Sequence, residues 1–144
     1  MNSPLRILVA TDGSDAAQHA VAWAAEFAQA TGAEVILVHA MSTSGEWLMS
    51  VAQIDFVHIE AERRACLDGV WSEALRTAGV TYRTKFMAGD PVALLLGTAD
   101  DNDVDAIVIG KSGHGALGTA LLGGSAGKLT HRTTRPLLIV PPPT

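Results

Sequence analysis

Apolar residues fall into two patterns along this chain. Residues 5–10, 34–40 and 105–109 and the stretch Leu137–Val140 are short, nearly unbroken apolar runs closed off by Gly, Pro, Asp or Ser, and read as buried strands. Residues 80–87 alternate and carry β-branched or aromatic side chains, which predicts a more exposed strand. Between these runs the apolar positions recur at helical spacing. Ala17, Ala20, Val21, Ala24, Phe27 and Ala28 form one stripe; Leu67, Val70, Trp71, Ala74 and Ala78 form another, within a long helical stretch over about residues 51–78. Val92, Leu95, Leu96 and Ala99 mark a third helix, and residues 125–133 a short fourth.

Punctuation residues support these bounds. Ser14 suits an N-cap with Asp15 in the first turn, Gly32 a C-cap, Gly79 a helix end, and Asp90-Pro91 an N-cap followed by proline at the first helical position. Residues 41–50 read as a polar loop, residues 100–103 as an acidic turn, and the proline run after Val140 as the end of the last strand. Strands and helices alternate throughout, which predicts an α/β fold with a mostly parallel sheet and helices on both faces. There is no internal repeat and no linker, so residues 1–144 are expected to form a single domain.

Composition narrows the function classes. The 144 residues are 48% hydrophobic and 17% charged with a formal net charge of −5, which fits a globular chain and argues against a nucleic-acid or membrane-surface role. Cys66 is the one cysteine, which rules out an intramolecular disulfide; on a helix face it reads as a small hydrophobe. No signal-peptide pattern and no membrane-length apolar run is present, so a cytoplasmic location is expected.

Charge is unevenly distributed. No Asp or Glu occurs from Ala106 onward, whereas Lys111, Lys128, Arg132 and Arg135 all lie there. This acid-free region holds a glycine-rich run over residues 110–125, between a strand and a helix start. Glycines let backbone N–H groups turn toward a ligand, and the helix start favours an anion. Two familiar motifs fail here. Gly113 to Gly118 matches G-x-G-x-x-G, but it follows the fourth strand and no acid lies about 20 residues on to hold a ribose. Gly118 to Ser125 approximates a P-loop but has Gly124 where lysine is required.

A third pattern holds: Gly110-x2-Gly113-x9-Gly123, followed by Gly124 and Ser125. With Ile7 to Ser14, Val38-His39-Ala40, Gly89-Asp90-Pro91, Val104 to Gly110 and Arg135 to Pro141 in this order, the whole chain resembles the universal stress protein family, in its single-domain, ATP-binding type. The family's pattern has Ser or Thr after the third glycine; here that position is Gly124 and the hydroxyl comes one residue later.

The resemblance implies an open five-stranded parallel sheet of order 3-2-1-4-5, Rossmann-like and of the adenine nucleotide alpha hydrolase-like kind. It implies an adenine nucleotide, ATP, with Mg²⁺ or Mn²⁺ as candidate cations bridging the phosphates, in a nucleotide-responsive stress-response factor. By that resemblance Ala10, Thr11 and Asp12 flank the adenosine, Ala40 meets the adenine edge through its backbone, and Ile109 lines the pocket. Gly110, Gly113, Gly123, Gly124 and Ser125 would hold phosphates, with His114 as an added donor. A homodimer through Leu137–Val140 is expected, since a short apolar edge strand is otherwise a liability.

Other readings stay open. Asp12 also suits a plain turn cap, and the glycines a plain loop. His39 reads as a packed strand residue, and the histidines form no zinc-protease spacing. No residue is identified as a general base, so any ATP hydrolysis is expected to be slow. A partner-binding protein of the same fold without nucleotide is one rival; an ATP-hydrolysing or adenylyl-transferring enzyme, for which only His114 and Asp12 are candidate groups, is the other.

Overall fold

The computed structural model describes residues 3–43, 50, 52, 55–111 and 125–143, with the backbone alone at 125 and 126. Five strands, β1 (Arg6–Ala10), β2 (Glu34–Ser42), β3 (Tyr82–Gly89), β4 (Ala106–Gly110) and β5 (Leu137–Val140), form one sheet in the order β3-β2-β1-β4-β5. Every neighbouring pair is parallel.

Helices cover both faces, as parallel strands require. On one face lie α1 (Asp15–Thr31), α2 (Phe56–Asp68) and α3 (Glu73–Ala78); on the other lie α4 (Pro91–Asp101) and α5 (Ser125–Arg132). Alternation along the strands divides the core accordingly. Ile7, Val9, Val35, Leu37 and Val108 meet α1 with Leu67 and Leu75, while Leu8, Ile36, Val38, Ile107 and Ile109 meet Val92, Leu95 and Leu129.

The cap chemistry read from the sequence is present. Ser14 Oγ accepts from the Ala17 N–H, and Gly32 stands at φ 77° with its N–H on the Ala28 carbonyl. Asp90 and Pro91 open α4 as expected, although the Asp90 side chain makes no capping bond.

Three expectations need correction. Among the described residues, the long helix over 51–78 is broken into two helices. Asp55 is extended and caps α2 by accepting from the His58 N–H, and Gly69 at φ −111°, ψ −105° breaks the run before a 3₁₀ turn, Val70–Ser72. That break takes Val70 out of the apolar stripe, leaving it 58% exposed, while Leu67, Trp71, Ala74 and Ala78 keep their place against the core. β2 also runs on into the expected loop, so Met41 is a buried strand residue.

Candidate functional site

The order of the strands sets where a crevice opens. β2 and β3 lie to one side of β1, and β4 and β5 to the other. Connections leaving β1 and β4 therefore pass to opposite faces and part outside the strands' carboxyl ends, which is where open α/β sheets bind ligands. Ala10 stands beside Val38, and Val9 beside Val108, so Thr11 and Asp12 on one side and Gly110 on the other form the rim.

Gly110 comes very close to α1. A Cβ at this position would lie 2.6 Å from the Ala16 carbonyl oxygen and 3.0 Å from the Ala17 nitrogen. Only glycine lets the end of β4 rest on the first turn of this helix. Beyond it, the Lys111 N–H bonds to the Val140 carbonyl at 2.8 Å, carrying the chain along the end of β5.

Ala10, Ala40 and Ile109 share the α4–α5 side of the sheet. Ile109 is buried; Ala10 and Ala40 are half-buried against the same cluster. Met87 stands beside Ala40 in the register and packs there too, so these side chains form an apolar floor at the carboxyl edge. Met87 was not singled out from the sequence, because the register between β2 and β3 is set by pairing that no local pattern displays.

The turn after β1 is closed by its own side chains. Thr11 Oγ1 accepts from the Gly13 N–H at 3.1 Å, and Asp12 Oδ1 from the Ser14 N–H at 3.0 Å. The turn-capping role open to Asp12 is therefore real. A carboxylate offers about four acceptor positions, so that role and ligand contact are compatible. Gly13 supplies the left-handed step at φ 79°.

Beneath this turn lies His39, 2% exposed on β2. Its Nδ1 is 2.7 Å from the Thr11 carbonyl oxygen, and its Nε2 is 3.3 Å from Arg63 Nη1 on α2. Guanidinium only donates, so Nε2 accepts and Nδ1 carries the proton: one neutral tautomer satisfies both contacts. Burial pushes the imidazole pKa down; the Thr11 carbonyl pulls it up, Arg63 pushes it further down and Asp12 pulls it up, and the result lies below the ordinary value. Trp71 meets this ring edge-on with centroids 5.2 Å apart, and Phe86 packs at 5.5 Å. His39 is the packed strand residue the sequence implied. Among the described residues no cluster of His, Cys, Asp and Glu could hold a metal ion.

The structure thus brings Ala10, Thr11, Asp12, Ala40, Ile109 and Gly110 to one edge. Gly113, His114, Gly123 and Gly124 lie outside the described residues, as does the side chain of Ser125. The backbone of Ser125 opens α5. A crossover helix between parallel strands runs back against them, so α5 begins at this same carboxyl edge. No described helix is long and apolar enough to cross a membrane.

Comparison with known proteins agrees with this architecture. The family model described as the universal stress protein family matches residues 5–141. A Thermus aquaticus universal stress protein, from the 3′ region of a QAH/OAS sulfhydrylase gene, is 33% identical over 135 residues, covering 93% of this chain and 96% of its own. The Bacillus subtilis universal stress protein YxiE is 28% identical, covering 94% and 97%. Among solved structures, that of hypothetical protein MJ0577 superposes with a TM-score of 0.78 at 25% identity, covering 94% of both chains. A universal stress protein in complex with cAMP gives 0.74 at 25% identity, covering 99% of this chain and 100% of that one. With its sheet order, Rossmann-like architecture and a family match running almost end to end, this chain belongs to the universal stress protein family.

Proposed function

We propose that this chain binds an adenine nucleotide, ATP in the first instance, at the carboxyl edge of its sheet and acts as a nucleotide-responsive stress-response factor. The observation that carries the reading is the meeting of two rims at the switch point: the turn Thr11-Asp12, and Gly110 seated on the first turn of α1. The apolar floor of Ala10, Ala40, Ile109 and Met87 suits the flat face of a purine. Asp12 would accept from ribose or base, and the Ala40 backbone would meet the adenine edge. The G-x2-G-x9-G run would wrap the phosphates: Gly110, Gly113, Gly123, Gly124 and Ser125 through their backbone, with His114 as a further donor and the start of α5 as positive pole. The acid-free stretch from Ala106 onward supports an anionic ligand, and a relative of this fold binds cAMP.

Mg²⁺ or Mn²⁺ fits as a partner of the phosphates. The cation would enter with the nucleotide. The reading takes residues 1–144 as one domain. It also takes β5 as the seam of a homodimer: Leu138 and Ile139 are 38% and 43% exposed on a sheet edge, whereas the opposite edge strand, β3, is guarded by exposed Arg83 and Lys85.

Calorimetric titration with ATP–Mg²⁺, ATP plus chelator, cAMP and GTP tests the site. Saturable binding of the adenine nucleotides, tightest for ATP and weak for GTP, is expected. Heat-silent titrations with every nucleotide would replace this reading with that of a partner-binding protein.

A further inference from the structure

We infer that His39 and Arg63 are positioning residues for the nucleotide, His39 holding the Thr11–Asp12 peptide in place from below and Arg63 holding His39; the inference rests on the crevice being an adenine-nucleotide site. The Thr11 N–H continues the β1–β2 pairing through the Val38 carbonyl at 2.9 Å, but its own carbonyl takes Nδ1 of His39 at 2.7 Å. That carbonyl belongs to the peptide unit that carries the Asp12 N–H. Because the unit is planar, fixing its oxygen fixes the direction of the Asp12 N–H and the position of the Asp12 Cα. Asp12 is then clamped from the other side by its own bond to the Ser14 N–H.

Nothing in the packing alone calls for an imidazole here. The ring sits at 2% exposure between Trp71 and Phe86, where an aliphatic or aromatic side chain would pack without a desolvation cost. What the imidazole adds is a donor toward Thr11 and an acceptor toward Arg63, at 3.3 Å from Nη1. Arg63 fixes which nitrogen bears the proton and so keeps the donor pointing at the turn. Trp71 closes the same turn from the helix side, lying against Gly13. The turn at the rim of the crevice is thereby tied to β2 and α2.

ATP affinity of the wild type, His39→Leu, His39→Asn and Arg63→Met, each shown folded by circular dichroism, tests this. The asparagine amide nitrogen takes the place of Nδ1, restoring the donor toward Thr11 while offering Arg63 nothing. Expected are about tenfold weaker binding for His39→Leu, recovery of most of it in His39→Asn, and about a threefold loss for Arg63→Met. Equal weakening in the leucine and asparagine variants, or unchanged affinity in His39→Leu, overturns the positioning role while leaving the nucleotide reading intact. Failure of the wild type to bind ATP overturns the nucleotide reading, and this role with it. If His39→Leu does not fold, imidazole ¹⁵N shifts of the wild type decide together with Arg63→Met: a proton on Nε2 instead of Nδ1 contradicts the arrangement.

Discussion

Gly13 lies against the indole of Trp71: a Cβ on Gly13 would fall 2.3 Å from Cζ2 and 2.7 Å from Nε1. Gly32 has almost the same backbone angle, φ 77° against 79°, but a Cβ there meets nothing within 4 Å. The pair separates backbone strain from collision. Gly32→Ala is expected to cost about 1 kcal/mol, from the left-handed backbone alone. Gly13→Ala adds displacement of the indole and is expected to cost about 2–4 kcal/mol. Urea unfolding of the two variants checks this; equal costs would mean that Trp71 moves freely.

Burial and Arg63 lower the pKa of His39, so the sign of its pH effect follows. The folded state releases this proton more readily than the unfolded chain does, and the stability contributed by the neutral ring is present above the ordinary value of about 6.5. It is lost as pH falls below that value toward the lowered folded pKa, where Arg63 from α2 opposes the charged ring, Asp12 favours it, and the Trp71 and Phe86 rings offer no counter-charge. Melting temperature should therefore decline below about pH 6.5 in the wild type, and less steeply in His39→Asn. Parallel profiles for the two proteins would assign the decline to other groups.

The two sheet edges differ in chemistry, and that difference predicts association through β5. Leu138 points to the α1 side and Ile139 to the α5 side, with Leu137 and Val140 packed inward. Light scattering should find the wild type dimeric at micromolar concentration, and Leu138→Lys combined with Ile139→Glu monomeric and folded. A monomeric wild type would remove β5 as the seam.

Hydrolysis should be slow. Among the described residues, Asp12 is engaged with the Ser14 N–H and both nitrogens of His39 are committed to Thr11 and Arg63, so neither of these presents a prepared base at the rim. Turnover of ATP is expected at or below roughly 10⁻² s⁻¹, the range of nucleotide sites without a supplied arginine or activating partner. Single-turnover assays with labelled ATP check this, and a rate of about 1 s⁻¹ or more abolished by Asp12→Ala would make the protein an enzyme.

Much of the fold could be read from the chain because its signals are local. Four strands are short apolar runs with a glycine or proline nearby, β3 is an alternating one, and Ser14, Gly32 and Gly79 mark helix ends by chemistry that acts within a few residues. The helix over residues 51–78 misled because its stripe continues in sequence across Gly69, while the backbone there leaves the helical region; Val70 shows the cost of trusting periodicity through a glycine. The strand order 3-2-1-4-5 came from resemblance and not from any periodicity. At the rim of the crevice, the turn that carries Asp12 and the strand end at Gly110 were legible because each lies in one segment. The contact of Arg63 with His39 joins residues in different layers, and Met87 reaches the floor only through β2–β3 register. Neither leaves a mark on its neighbours in sequence.

Thermal unfolding of the wild type and Gly113→Asp, with and without ATP–Mg²⁺, decides whether the glycine-rich run holds phosphate. A ligand at about 100 times its Kd adds about 2.7 kcal/mol if it binds only the folded state, or roughly 5–10 °C for a chain of this size. That shift is expected in the wild type and is lost in Gly113→Asp, where a carboxylate stands among the expected phosphate contacts. An unshifted wild type at millimolar ATP, or an equal shift in the variant, would contradict a phosphate site in the glycine-rich run.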